Sequence, residues 1–397
     1  MSRSAPAVAD RGPSVHARSV AAQAPEIARL CHRMAERFAR GGRLLAAASA
    51  PAARSDARHV AVEFVHPVIV GKRALPALAV IGAGAQPAQQ LELLARPDDI
   101  VVAFGAGSDD GAAAQAIAAA RRRGCETVAF APGAGADSEL GPGDVDPLVA
   151  QELVETIYHV LWELVHVFFE HRGLLAGRPA APARADPGAA GFLYPFLAER
   201  EHDLDGVLED VRRSVVMKSE QIAALRARTL ADNAATLRSA ADGLRAAFES
   251  GGTLLALGNG GSATDAMDLV ADLRHPADGR RPRPAIDLTD DPAVLTAIAN
   301  DIGVEAIFAR QVIAYGTPGD VLVAITTSGN SANVIAALAQ ARRQGLATFA
   351  LVGYDGGRIA AESLADEVIV VASEYIPRIQ EAQASAYHVL CELADGG

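Results

Sequence analysis

At 397 residues the chain is too long for one ordinary domain, and its balance of 50% apolar to 21% charged residues fits soluble α/β material in two or three domains. A net charge of -12 excludes bulk attraction to nucleic acid or anionic lipid, while leaving room for an anionic metabolite in a local pocket. No apolar run approaches the ~18 residues of a membrane span; the longest, Tyr158 to Phe169, is interrupted by Glu163 and His166 and reads as a buried helix.

Residues 1–22 carry Arg3, Arg11 and Arg18 without an apolar stretch, so they read as a disordered lead and not as a secretory signal. A first domain follows over 23–175. Residues 176–191, rich in Ala, Pro and Gly and without periodicity, read as a linker. A second domain occupies 192–397, entered through a helical segment from Glu199 to about Ser250 that breaks near Ala231–Asn233. Cys31, Cys125 and Cys391 have no metal-type spacing and cannot pair evenly, and a reducing cytoplasm is the simplest setting for them.

The two domains repeat one another. Tyr158-His159-Val160-Leu161-Trp162-Glu163-Leu164 matches Tyr387-His388-Val389-Leu390-Cys391-Glu392-Leu393, and Gln151-Glu152 and Gln380-Glu381 precede these strings at the same distance. Pro97–Ala103 pairs with Pro318–Ala324, Ala120–Gly124 with Ala341–Gly345, Gly41–Leu45 with Gly251–Leu255, and His66-Pro67 with His275-Pro276. So many matches in one order mark a duplication.

In the second copy, 253–257, 284–288, 320–326, 348–353 and 368–371 are short β-branched or apolar runs, while 332–343 and 377–393 are helical. Strands alternating with helices predict an α/β fold: two tandem domains, each a Rossmann-like parallel sheet flanked by helices. A ligand would then bind at the carboxyl ends of the strands.

Two strand-to-helix turns of the second copy fall at such ends. Gly258-Asn259-Gly260-Gly261-Ser262 follows the 253–257 strand, and its glycines let backbone N–H groups approach an oxyanion at a helix N-terminus. Thr326-Thr327-Ser328-Gly329-Asn330-Ser331 ends the 320–326 strand and brings hydroxyl donors to the next helix start. Ser262 and Ser331 alone would pass for plain helix caps. Two such loops on neighbouring parallel strands point to a phosphate-ester site, for which Asn259, Gly260, Gly261, Ser262, Thr326, Thr327, Ser328, Asn330 and Ser331 are the candidates.

With Asp265-Ala266-Met267, Thr327–Ile335, Gly353-Tyr354-Asp355-Gly356-Gly357 and Arg378-Ile379-Gln380-Glu381, these loops make residues 205–395 resemble the phosphoheptose isomerases of the sugar-isomerase (SIS) domain family. The resemblance implies interconversion of sedoheptulose 7-phosphate and a heptose 7-phosphate through an enediol, an intramolecular oxidoreduction. It also implies homo-oligomers with active sites near subunit interfaces, and a reacting end set by a His and a Glu four apart plus a Gln and a His eight apart, which can hold Zn2+. Gln380 and His388 match the second pair. Asp268 and Asp272 stand where the family has His and Glu, and Pro377 where it has Asp. Asp272 remains a candidate base with a shorter reach, and Asp268 would make the metal site harder.

The first copy shows the reverse. His59, Glu63, Gln151 and His159 match all four family positions and are its candidate metal set, with Glu63 and His159 also candidate catalytic groups beside His388 and Asp272. Its phosphate loops are replaced by Ala47–Pro51 and by Gly105–Asp110, where Asp109 and Asp110 would repel phosphate. Taken alone, His59 and Glu63 read as an exposed i,i+4 pair, and His159 and His388 as core histidines; their recurrence at matched offsets favours a site. One expectation is a single composite site per chain, with Glu63 serving the C-terminal cradle.

Two functions compete: a sugar-phosphate ketose–aldose isomerase, and a non-catalytic sugar-phosphate-binding regulator or scaffold. A nucleotide cofactor is not expected, since neither Gly-x-Gly-x-x-Gly spacing nor a Gly-Lys-Ser/Thr loop is present. Neither nucleic acid nor membrane is an expected partner.

Overall fold

The computed structural model describes residues 13–68, 72–82, 86–105, 111–130, 133–143, 145–170, 174–175, 203–276 and 279–396. Two compact units divide the chain: Ser14–Val145 with Leu153–Gln221, and Asp146–Glu152 with Ile222–Gly397. These are not the predicted boundaries. Residues 146–152 join the second unit through the contacts of Glu152 with Ser385 and His388, and Lys218 of the helical lead-in pairs with Glu163 at 2.5 Å in the first. The 1–22 lead is also corrected, because residues 13–22 are helical; the 176–191 linker lies outside the described residues.

The first unit runs α1 (Pro13–Ala22), α2 (Ala24–Ala39), β1 (Leu44–Ala48), α3 (Pro51–Val65), β2 (Ala77–Ile81), α4 (Pro87–Leu94), β3 (Ile100–Ala103), α5 (Ala112–Arg122), β4 (Glu126–Ala129) and β5 (Ser138–Glu139). Helix α6 (Pro147–Glu170) and helix α7 (Leu204–Asp232) each give residues to both units. The second unit continues with α8 (Ala234–Glu249), β6 (Leu254–Leu257), α9 (Gly261–Arg274), β7 (Ala285–Asp287), α10 (Pro292–Asp301), α11 (Ala309–Tyr315), β8 (Val321–Thr326), α12 (Ala332–Gln344), β9 (Ala347–Gly353), α13 (Gly357–Ala361), β10 (Glu367–Val371) and α14 (Ile376–Ala394). Asn233 separates α7 from α8, within the predicted break.

Both sheets are parallel, in the orders β2-β1-β3-β4-β5 and β7-β6-β8-β9-β10. Each therefore reads 2-1-3-4-5, the duplication expressed as topology. The copies also share their fastenings. Asp99 accepts from the backbone N–H groups of Arg43 and Arg96, both at 2.9 Å, and Asp320 accepts from those of Thr253 and Thr317, both at 2.8 Å. In each copy one buried carboxylate ties the start of the first strand to the turn before the third.

The central strands β6 and β8 are buried along their whole length, as expected of a parallel sheet covered on both faces. Alternation sends Leu254, Ala256, Val321 and Val323 against Leu244, Leu269 and Leu390 of α8, α9 and α14. Leu255, Leu257, Leu322 and Ala324 pack against Val312, Val334, Leu338 and Ile359 of α11, α12 and α13. In a 2-1-3-4-5 sheet the strand order reverses between the first and third strands, and the crevice at their carboxyl ends is the standard ligand position. Here that crevice lies between β6 and β8. Among the described residues no helix is long and apolar enough to cross a membrane.

Candidate active site

The two predicted loops meet at this reversal. Gly260 ends the β6 loop with φ 58° and ψ -125°, a backbone state that glycine alone adopts without strain, and α9 starts directly after it with no side chain capping it. In the β8 loop Gly329 has φ 62°, and a Cβ there would come within 2.2 Å of the Gly356 carbonyl oxygen. Ser331 occupies the N-cap position of α12 without a side-chain capping bond, so its hydroxyl is not serving as a plain cap. Two helix N-termini, each carrying partial positive charge, thus open side by side.

Asparagines fasten this cradle. Asn259 Nδ2 donates to Asn333 Oδ1 at 3.0 Å, and Asn333 Nδ2 returns a bond to Asn259 Oδ1 at 2.9 Å. Asn330 Nδ2 donates to the Ser328 carbonyl at 2.9 Å while its Oδ1 accepts from Arg358 N at 3.0 Å. Asn259 and Asn330 therefore shape the loops through their side chains. Thr326 is buried at the end of β8, and its carbonyl accepts from Gln383 Nε2 at 3.3 Å. Ser262, Thr327, Ser328 and Ser331, with the backbone of Gly260 and Gly261, remain as the donors at the two helix starts. A cleft of about 720 Å³ opens beside the β8 loop, lined by Ser328, Asn330, Tyr354, Asp355, Ala372, Ser373 and Glu374.

Farther along α9, Asp268 and Asp272 share one face and meet α14. Asp268 Oδ2 accepts from the Tyr387 hydroxyl at 2.9 Å. Asp272 Oδ2 stands 3.3 Å from His388 Nε2, an ion-pair distance at which neither atom has an aligned hydrogen bond. On the other side of the ring, His388 Nδ1 donates to Glu152 Oε1 at 2.9 Å. His388 is fully buried, and burial opposes its charge, yet the flanking Asp272 and Glu152 carboxylates prevail and push it up to about 9. These two carboxylates favour the protonated ring. Gln380 lies buried on the same helix, and Pro377 occupies its first turn, where a missing N–H costs nothing.

In the first unit the structure brings together His59, Glu63 and His159, all buried, with ligand atoms within 4.8 Å of one another. The expectation of an exposed His59–Glu63 pair is corrected: at 2% exposure each, both face inward from α3. His59 Nε2 faces His159 Nε2 at 3.3 Å, and the Tyr158 hydroxyl meets His59 Nδ1 at 3.0 Å. Burial, then the neighbouring His159, holds His59 well below the usual histidine range; burial also raises Glu63 to about 7. Gln151, the fourth predicted member, is grouped with the other unit. Of the replaced loops, residues 106–110 lie outside the described residues, and at the other Ala50 precedes α3 without a side-chain cap.

Sequence reasoning missed Glu152, Asn333 and Tyr387 as parts of the site. All three stood inside repeated or quoted strings, but their roles depend on packing that no spacing reveals.

A family model described as SIS domain matches residues 219–353. The chain is 43% identical to a phosphoheptose isomerase of Solidesulfovibrio magneticus over 188 residues, 47% of this chain and 91% of that protein. It is 47% identical to one from Desulfovibrio desulfuricans over 174 residues, 44% of this chain and 82% of the relative. Among solved structures, tagatose-6-phosphate ketose/aldose isomerase from Escherichia coli superposes with a TM-score of 0.55 over 96% of this chain and 89% of its own, at 13% identity, a likeness of fold. With its parallel SIS-type sheets, its paired loops and relatives matched over most of their length, the chain belongs to the SIS-domain family of phosphoheptose isomerases.

Proposed function

We propose that the unit formed by residues 146–152 and 222–397 is a ketose–aldose isomerase for a phosphorylated sugar, a phosphoheptose as in the names of its relatives, with sedoheptulose 7-phosphate as the expected ketose. The observation that carries this reading is the alignment along α9 of a phosphate cradle and the base of an acid–base pair, whose acid, His388, faces it from α14. Ser262 opens α9, while Asp268 and Asp272 stand about 9 and 15 Å further along it at 1.5 Å per residue. A long sugar anchored by its phosphate at the helix start would lay its far end toward Asp272 and His388.

The chemistry then needs one base and one acid. Asp272 takes a proton from C1 of the ketose while the His388 imidazolium hydrogen-bonds and protonates the C2 oxygen, giving an enediol. Return of the proton from Asp272 to C2, with the O1 proton passing to the now neutral His388, completes the aldose and restores both groups. A charged His388 cannot serve as the base, so that role falls to Asp272.

The family implies a metal at this position, and the donor set fits one. Asp268, Asp272 and His388 each offer a ligand atom within 4.8 Å of the others, His388 only as the neutral imidazole, so an ion here would displace the Nε2 proton and take over the acid's part. Two atoms about 2.0–2.1 Å from one ion stand roughly 3.0–3.4 Å apart, and Asp272 Oδ2 and His388 Nε2 are separated by 3.3 Å. Two carboxylates and one imidazole favour a harder ion than an imidazole-rich set would. When bound, the ion would polarise the sugar oxygens.

A second reading, a sugar-phosphate sensor, is favoured by Asp268 and Asp272 replacing the family's His and Glu. Proton NMR with sedoheptulose 7-phosphate in D2O, with and without zinc, separates the two. Deuterium entering C1 with a new heptose anomeric signal supports the isomerase; line broadening without exchange supports the sensor. The expectation of a composite site using Glu63 has its own test. Loss of turnover in Glu63→Gln with sugar-phosphate binding kept would support it, and unchanged turnover would remove it.

Homo-oligomerisation belongs to the same proposal. Ile302, Val304, Ile313 and Tyr315 expose 46–63% of their surfaces around α10 and α11, which supports a partner surface there. Light scattering on the purified chain decides it, a monomer at micromolar concentration being the contrary result.

A further inference from the structure

We propose that Glu152 is a positioning residue for His388, holding the imidazole by Nδ1 so that Nε2 faces Asp272 and the reacting end of the sugar. The inference rests on the isomerase reading and adds to it a residue that comes from the helix of the first copy.

Every polar part of Glu152 is engaged. Oε1 accepts from His388 Nδ1 at 2.9 Å, and Oε2 accepts from the Ser385 hydroxyl at 2.5 Å. Arg226 Nη2 donates to the Glu152 carbonyl at 2.9 Å, and Arg226 Nε lies 3.8 Å from Oε2. At 1% exposure, the carboxylate has lost its hydration and holds one geometry through these contacts. A carboxylate can accept hydrogen bonds and not donate them, so the proton on this side of the ring sits on Nδ1. A flip of the ring would set a carbon against Glu152 and withdraw Nε2 from Asp272.

The duplication shows why this copy supplies the group. Glu381 is the counterpart of Glu152, and Arg378 binds it at 2.5 Å one helical turn away. At the position matching Arg378 the first copy has Val149. One copy thus has an arginine for its glutamate on the same helix, whereas the other directs its glutamate to a histidine. Equal sequence strings have taken different work.

The test uses the full-length protein, with Glu152→Gln as the near-isosteric change, Glu152→Asp as the conservative one, and Ser385→Ala as a control that removes a Glu152 contact without touching the ring. Two readouts are taken: kcat and KM for sedoheptulose 7-phosphate, and the imidazole nitrogen and proton resonances of His388 in the protein without ligand. Glu152→Gln is expected to lower kcat about 10- to 100-fold with KM changed less than about twofold, to alter the Nδ1-bound proton signal, and to be partly rescued in Glu152→Asp. Ser385→Ala should leave the His388 resonances as in the parent. Unchanged kcat, or equal losses in kcat and KM with unaltered His388 resonances, would overturn the proposal. Should the parent protein show no turnover, the isomerase reading fails by itself, and the resonances alone decide Glu152: a shift in Glu152→Gln absent from Ser385→Ala supports it, and no shift removes it.

Discussion

Asn259 and Asn333 exchange two side-chain hydrogen bonds, 3.0 and 2.9 Å long, and so join the loop after β6 to the first turn of α12. Their work is to set the spacing of two helix N-termini that would share one phosphate.

Truncating one partner should loosen that spacing. Asn333→Ala leaves the Asn259 amide without its two partners and is expected to destabilise the unit by about 1–3 kcal/mol. KM for a sugar phosphate should rise about 10-fold while kcat falls less, because the change lies at the anchored end. Urea unfolding and steady-state kinetics check both parts. A loss confined to kcat would place the asparagine pair in the wrong role.

His388 gives a pH dependence with a definite sign. Its folded value, pushed up to about 9 against the opposition of burial by Asp272 and Glu152, lies above the ~6.5 of an unfolded histidine. The stabilisation it contributes is therefore complete below about pH 6.5 and lost as pH rises through 9, roughly 3 kcal/mol over that window. Denaturant titrations of the parent and His388→Asn at pH 6, 7.5 and 9.5 should show their stability difference shrinking as pH rises. Turnover should fall over the same upper limb, because the acid loses its proton.

Zinc is expected to bind the His59, Glu63 and His159 cluster of the first copy, whose ligand atoms lie within 4.8 Å of one another. Glu63, raised to about 7 by burial, has Oε2 buried without a hydrogen bond among the described residues. Without metal, the cost of its burial accrues as pH rises from about 4.5 to about 7 and is complete above that, so Glu63→Gln should be the more stable protein at pH 8. Two imidazoles and a carboxylate are zinc-type donors, and zinc at about 100 times its dissociation constant would stabilise the parent by ~2.7 kcal/mol. Calorimetric melting with EDTA and with zinc should show a shift in the parent that Glu63→Gln lacks. Equal shifts in both would remove the metal from this cluster.

The fold was legible because duplication printed it twice. Matched strings revealed the repeat, though not the boundaries of the two units, and the five runs of the second copy coincide with β6 to β10 to within a residue or two. Helices α10 and α11 went unread; α10 buries no residue, so it has no one-sided apolar stripe to find. The two strand-to-helix loops were legible because glycine and hydroxyl residues cluster where the backbone turns from β6 into α9 and from β8 into α12. Asp99 and Asp320 sat inside matched strings, yet their task of fastening strand starts shows only in the backbone bonds they accept. Glu152 was the least legible, since residues 151–152 repeat as 380–381 while the partners of the two glutamates differ.

Asp272 carries the sharpest prediction. It is buried on α9, 3.3 Å from the imidazole, and it stands where the family has a longer glutamate. If it is the base, Asp272→Asn keeps shape and volume but removes the proton acceptor, and kcat should fall by about 10²- to 10⁴-fold. Inorganic phosphate and sugar-phosphate binding should stay within about twofold, because the cradle lies at the other end of the helix. His388 should then titrate lower than in the parent, having lost one of its two flanking carboxylates. Asp272→Glu is the complementary change. It restores the family's reach, so an activity equal to or above the parent's would mean that length limits this site, and a loss would mean that the surrounding packing has adapted to aspartate. Retention of full turnover in Asp272→Asn would move the base elsewhere and end the assignment made here.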